Sequence, residues 1–425
     1  MENSVKRIRD FAIAVDETVD YRQYPLPREF SEVEYQIRIA RARKEMRLAD
    51  IDALVITSSQ VGQWFTGAIE PHSWHDRAGA RSSWYILTPV DDCLYITPTN
   101  NHNFAAARRM TWVGKIGEIV ERTDWPRVEI WGLSQMPSIF AELGLLGARL
   151  GFELGDTMTM GLSVVDYLAL RELMQSADFL DAAPVIRRLM STHTDYEVDC
   201  VRRACEAGVW IHAQVPKYMA PGVTERELAD RLADAFRLRF KQGYSYRSEG
   251  GWDVRNERYG EYNTYHYPTT DRPYRIGDHV CRGTSGASFR GFMGDVDRMW
   301  YLGRPPDPVR KWHRWAFECN RAMTAAIRPG ARCSDIYNAG ARIDLAFGLP
   351  PPASGRRGHG LRHIGNLSVH QDNHTILEPG MIISVEPMHG NKYGYFDLED
   401  QHLVTATGVE CLHEPASDVL PCIEV

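Results

Sequence analysis

The 425-residue sequence has no apolar run near the roughly 18 residues that a membrane span needs, and its polar start, Met1-Glu2-Asn3-Ser4, lacks the apolar stretch of a secretory signal. Both absences point to a cytoplasmic chain. It also lacks any run of basic residues. With 49 Lys and Arg against 56 Asp and Glu, the net charge is −7, which weighs against nucleic acid and anionic membrane, since both are gripped by clustered cations. The eight cysteines are scattered and none falls in a C-x-x-C pair, so the common zinc and dithiol patterns are excluded. In a reducing compartment such thiols are mostly small buried apolar groups. Cys281 lies close to the acidic motifs below and is weighed as a nucleophile or substrate-lining thiol, but no activating base stands near it in the sequence.

The composition that remains, 44% apolar and 25% charged, is that of a globular protein, neither disordered nor fibrous. The length suits two domains. In the first half the apolar residues of 32–48 recur in a helical rhythm, followed by strand-like runs at Ala53–Ile56, Trp84–Leu87 and Cys93–Ile96. Further strands are expected at Ile130 and Gly151–Glu153, with a helix near Tyr167–Met174. An α/β domain over residues 1–190 follows, and a second domain over 191–425. Within the second, Pro221-Gly222 and Pro329-Gly330 lie 108 residues apart, with Leu228 and Ile336 at the same offset from each Pro. Each pair stands between two predicted helices, an order that favours an internal duplication. Thr224 and Glu227 form a capping box in the first copy, and Ser334 is the expected cap in the second.

Groups able to do chemistry gather toward the C-terminus. Asp295 and Asp297 are two apart, so on a strand both point to one face, where a cation must offset them. That cation is a metal, an arginine or a positively charged substrate. Glu386 follows the apolar run Met381–Val385, and a buried acid needs a partner. Glu399, in Phe396-Asp-Leu-Glu-Asp400, invites the same argument. His359 and His363 sit in Gly-His-Gly-Leu-Arg-His, His370 follows seven residues after His363, and His266 lies in Thr-Tyr-His-Tyr-Pro, with a pKa range suited to acid–base work.

Taken in order, HYPTTDRPYRIGDHV from His266, GFMGDVDRMWYLGRP from Gly291, IRPGARCSDI from Ile327, GHG at Gly358, LEPGMIISVEPM from Leu377 and LEDQHLVT from Leu398 resemble the pita-bread family of creatinase, Xaa-Pro dipeptidases and methionine aminopeptidases. The resemblance implies an α/β N-terminal domain and an α+β pita-bread catalytic domain with an internal pseudo-duplication. Metal-dependent members hold two ions through Asp, Asp, His, Glu and Glu. Here the first Asp position, eleven residues before Asp295, is Thr284, a poor replacement for an ionised ligand. One site is left, made of Asp295, His359 or His363, Glu386 and Glu399, and so the expected cofactor is one divalent ion or none.

The resemblance to creatinase is close in Pro329–Ile336 and Leu377–Met388. It assigns the acid–base role to His266 and the grip on a cationic head to Asp297 and Glu399, with Glu386 and His370 beside the substrate. Arg81 is the nearest match to an arginine that creatinase supplies from the neighbouring subunit, which implies a homodimer with the active site near the interface. The aromatic stretch Tyr244–Tyr265 is a further candidate for the pocket wall. The leading expectation is a creatinase-like hydrolase that cleaves a non-peptide C–N bond in a small cationic or zwitterionic compound. The alternatives are a single-metal Xaa-Pro dipeptidase or lyase, and a non-catalytic binding module on the same scaffold.

Overall fold

The structure is a computed structural model and describes residues 28–68, 83–96, 107–119, 132–156, 158–246, 255–256, 270–283, 287–350, 355–361 and 367–424. The chain divides into two compact units, Met1–Glu153 with Thr159–Asp181, and Leu154–Met158 with Ala182–Val425.

The first unit is built on six strands, β1 (Ala53–Ile56), β2 (Trp84–Leu87), β3 (Asp92–Ile96), β4 (Lys115–Glu118), β5 (Arg149–Phe152) and β6 (Asp178–Asp181), in the order β4-β3-β2-β1-β5-β6. Central β1 pairs antiparallel with β2 and parallel with β5, and all four of its side chains are buried, as expected of a strand covered on both faces. Helices α1 (Glu32–Leu48), α2 (Ser59–Thr66), α3 (Met136–Glu142) and α4 (Val164–Leu173) belong to the same unit. α1 spans the helical rhythm read from the sequence. α4 starts three residues before Tyr167 because Ser163 caps it, its side chain accepting from Asp166 N–H. The strand expected at Ile130 lies outside the described residues.

The second unit contains helices α5 (Ala183–Ser191), α6 (Asp195–Tyr218), α7 (Glu225–Arg239), α8 (Asp307–Ala326) and α9 (Cys333–Phe347). Its strands are β7 (Tyr244–Tyr246), β8 (Arg255–Asn256), β9 (His279–Gly283), β10 (Ala287–Phe289), β11 (Phe292–Met293), β12 (Asp297–Leu302), β13 (Gly358–Gly360), β14 (Ile382–Val385), β15 (Met388–Asn391), β16 (Gly394–Asp397), β17 (Asp400–Val404), β18 (Val409–Cys411) and β19 (Cys422–Ile423). Two four-stranded sheets, β19-β12-β9-β8 and β13-β14-β17-β18, carry the site, and β15-β16 forms a separate ribbon. No described helix is long and apolar enough to cross a membrane.

The duplication is written in the backbone. At the start of α7, Thr224 bridges Pro273, Glu225 N–H donates to Arg272 C=O and Arg226 N–H to Thr270 C=O. At the start of α9, Arg332 bridges Ile376, Cys333 N–H donates to Thr375 C=O and Ser334 N–H to Asn373 C=O. Gly222 and Gly330 hold equivalent left-handed turns, with φ +88° and +82°, and their N–H groups donate to Tyr274 and Leu377. Thr224 and Glu227 close the expected capping box. The expectation for Ser334 needs correction, because the N-cap is Arg332 and Ser334 lies inside the helix. The carbonyls of Thr375, Asn373 and Arg332 already accept from the first three N–H groups of α9, and Arg332 N–H donates to Asp335 at 2.8 Å, so a hydroxyl cap has no orphan donor to serve.

Candidate active site

Asp297 opens β12 opposite Gly283 of β9, where a Cβ would lie 2.4 Å from Asp297 Oδ1. The glycine therefore leaves room for the carboxylate. Two residues earlier, Asp295 follows Gly294, whose missing Cβ would fall 2.5 Å from the backbone of Ala204 and Cys205, letting α6 press against the chain that carries the acid. His359 lies on β13 opposite Ser384 of β14, two residues before Glu386, and Glu386 N–H donates to Arg357 C=O at 2.8 Å. Glu399 comes immediately before β17 and forms a single bridge with Asp297.

These elements bring five of the residues read from the sequence into one buried cluster. His359 Nε2 is 3.6 Å from Asp295 Oδ2, 3.6 Å from Glu399 Oε1 and 4.0 Å from Glu386 Oε2. One ligand atom each from Asp297, Glu386 and Glu399 also lies within 4.8 Å of the other two. Glu386 and Glu399 are each 1% exposed. His359 Nδ1 lies 2.9 Å from Gly360 C=O and must donate to it, and burial lowers the imidazole pKa to about 4, so the ring is neutral with its Nε2 lone pair toward the acids.

Asp295 and Glu399 both have pKa values pushed well above the ordinary carboxylate range. Burial is the main cause for each; the charges of Asp297 and Glu386 add to it at Asp295, and those of Asp295, Glu386 and Asp297 at Glu399. Glu399 Oε1 is buried with no hydrogen-bond partner.

Three of the expected residues, Arg81, His266 and His363, lie outside the described residues, as does Thr284. His370 is one-third exposed, and its ring meets Asp372 and the Tyr337 ring, neither of them in the cluster. Two groups beside the cluster went unnoticed in the sequence. Asp397 is fully buried, and a ligand atom of it lies within 4.8 Å of ligand atoms of Asp297 and Cys281. Arg298 and Asp400 form an ion pair at 2.9 Å next to Asp297 and Glu399. Cys281 itself is 1% exposed, its thiol directed at Asp397 C=O at 3.8 Å.

Residues 38–189 match the creatinase/prolidase N-terminal domain and residues 199–406 match metallopeptidase family M24. The chain therefore carries an M24 domain behind a creatinase/prolidase N-terminal domain. Among M24 relatives, the probable dipeptidase PepE of Mycobacterium tuberculosis is 27% identical over 79% of this chain and 92% of its own, and the creatinase of a Bacillus species is 24% identical over 84% of each. The crystal structure of dipeptidase PepE from Mycobacterium ulcerans superposes with a TM-score of 0.75 at 21% identity, covering 94% of this chain and all of that one. These matches make this chain an M24 hydrolase with the pita-bread catalytic fold.

The donor set of this M24 site fits a divalent ion. Asp295, Glu386 and Glu399 supply hard carboxylate oxygens and His359 a neutral imidazole nitrogen, the ligand types that such ions take. Glu399 Oε1 is buried without a hydrogen-bond partner and lies 3.6 Å from His359 Nε2, among carboxylates that a cation would compensate.

Proposed function

We propose that this M24 protein is a single-ion hydrolase that cleaves a C–N bond in a small substrate carrying a cationic nitrogen. The observation that carries the reading is the convergence of three carboxylates on the Nε2 lone pair of a neutral histidine, with Glu399 Oε1 lacking any donor. Asp295, His359, Glu386 and Glu399 would hold the ion. When bound, a divalent ion supplies Lewis acidity and lowers the pKa of water. Asp297 is not needed to complete that ligand set. It stands within 4.8 Å of Glu386 and Glu399 as a further buried acid, and in this reading it takes the cationic nitrogen through charge-assisted hydrogen bonds. His266 is assigned the proton delivered to the leaving nitrogen.

Whether the scissile bond is a peptide, as in a dipeptidase, or a guanidino C–N bond, as in creatinase, depends on what Asp297 grips. A dipeptide presents a compact α-ammonium, whereas a guanidinium is planar and matches a carboxylate bidentately. A second reading is metal-free and creatinase-like, with His266 as acid–base and Asp297 and Glu399 clamping the cation; the extra carboxylate of Asp297 favours it. The small cationic or zwitterionic substrate, the homodimer with Arg81 near the interface, and a cytoplasmic location belong to both readings.

The deciding experiment is elemental analysis of the purified chain, paired with turnover of creatine and of an Xaa-Pro dipeptide before and after chelation. About one ion per chain and activity lost on chelation support the single-ion reading. Chelator-resistant turnover by metal-free protein overturns it in favour of the second.

A further inference from the structure

Asp297 opens β12 of one sheet and Glu399 immediately precedes β17 of another, and an isolated β-bridge joins the two residues. Asp297 N–H donates to Glu399 C=O and Glu399 N–H to Asp297 C=O, both at 3.3 Å, long for backbone hydrogen bonds. The Arg298 guanidinium reinforces that joint. Its Nη1 donates to Asp297 C=O and to Glu399 C=O, each at 2.9 Å, while Nη2 donates to Asp400 Oδ1 at 2.9 Å and to Glu414 C=O at 3.0 Å. One rigid planar group thus holds four acceptors, two of them the carbonyls of the residues whose side chains face the site.

We infer that Arg298 is a positioning residue that fixes the distance between the Asp297 and Glu399 carboxylates, with Asp400 as its anchor. Its charge is spent on Asp400, so the guanidinium acts on the site through geometry. A lysine cannot replace it, because one ammonium cannot span both carbonyls and the Asp400 carboxylate in a single plane. The link to metal affinity rests on the single-ion reading; the link to backbone geometry does not.

The test compares full-length wild type with Arg298→Lys, Asp400→Ala and Asp400→Asn, all held well below their melting temperatures. Hydrogen exchange should accelerate severalfold in the segments around Asp297 and Glu399 in Arg298→Lys and in Asp400→Ala, with distant strands unchanged. Asn can still accept from Nη2, so Asp400→Asn should keep wild-type protection. Calorimetric titration with Mn²⁺ or Zn²⁺ should show binding about tenfold weaker in the first two variants, the scale seen for groups that orient metal ligands. Should Arg298→Lys fail to fold, the contrast between the two Asp400 variants carries the same test. Unchanged exchange in the folded variants overturns the inference, as does equal damage from Asp400→Asn and Asp400→Ala, which would mean that charge and not geometry matters. Absence of ion binding by wild type would instead sink the single-ion reading, leaving the exchange result to decide the role of Arg298.

Discussion

Glu153 in the first unit and Glu399 in the second are almost equally buried, at 2% and 1% exposed, and burial raises the pKa of both. Their surroundings differ. Glu153 accepts from Thr57 N–H and Oγ1 at 2.9 and 3.3 Å, from Ser58 N–H at 3.1 Å and from the Ser58 hydroxyl, and so ties the end of β1 and the start of α2 to the end of β5. Glu399 Oε1 accepts nothing and faces other acids. Asp400, one residue on, is a third case: burial alone would push it up, yet Arg298 foremost, with His413 and His402, holds its pKa below the ordinary range. Burial of an acid therefore does not mark a site. What marks it is burial without donors or an internal cation, because such an acid is stable only when something from outside compensates it.

The sharpest way to break this contrast is Glu399→Gln. The substitution removes one ligand, and with it the repulsion that Asp295, Glu386 and Asp297 exert at position 399, so divalent-ion affinity should fall by more than the roughly 10–100-fold cost of losing an outer-shell partner. Turnover should be lost with it. Meanwhile the melting temperature of the metal-free protein should rise, since a buried like-charge contact is gone. A metal-free variant that melts lower than wild type would place Glu399 with Glu153 as a structural acid.

Asp297→Asn tests whether the extra acid serves the substrate or the ion. Losing one charge-assisted bond, on the order of 1.5–3 kcal/mol, should raise KM for a cationic substrate about tenfold or more, while metal content stays at the wild-type level. A variant that loses its ion and keeps its KM would move Asp297 into the ligand set.

In the structural acid the effect should appear as stability alone. Glu153→Ala strands the donors of buried Thr57 and half-buried Ser58, which costs on the order of 1–3 kcal/mol. Thermal melts should show the loss, and ion affinity should not change.

Asp295, Asp297, His359, Glu386 and Glu399 were all legible in the sequence, because each announces itself locally: an alternation of acids, a glycine-flanked histidine, an acid after an apolar run. Spacing alone could not choose between His359 and His363; the pairing of β13 with β14 is what sets His359 opposite Ser384 and beside Glu386. Arg298 and Asp400 were passed over although each adjoins a named residue. They are 102 positions apart, and a charge next to a strand acid reads as solvent-exposed until the tertiary pairing is known. Ser334 misled for the same reason, since the first N–H groups of its helix are met by carbonyls of an irregular segment some forty residues later. Gly283 and Gly294 carried no signal beyond being glycines; the need for them lies in the carboxylate and the helix backbone that occupy the missing Cβ positions.

The smallest effect expected is on the pH dependence of the metal-free protein, and its sign separates the two kinds of buried acid. Asp295 and Glu399 have folded pKa values above their unfolded ones, so the stability they contribute is full below the unfolded value and is lost as pH rises through the folded value. Asp400 is depressed and works in the opposite sense, but its contribution is lost only as pH falls below the ordinary carboxylate range near 3.8. His359, lowered to about 4, also opposes the raised acids, and does so below the ordinary imidazole value of 6.5. Between pH 8 and 6.5 the raised carboxyls therefore act with little opposition, and the metal-free protein should melt higher as pH falls across that window. Each kcal/mol gained corresponds to roughly 2–4 °C in a domain of this size. Saturating divalent ion should reverse the trend, because protons then compete with the ion for the same oxygens. A metal-free melting temperature that falls steadily from pH 8 to 6.5 would mean that Asp295 and Glu399 are ionised and compensated from within the protein, as Asp400 is.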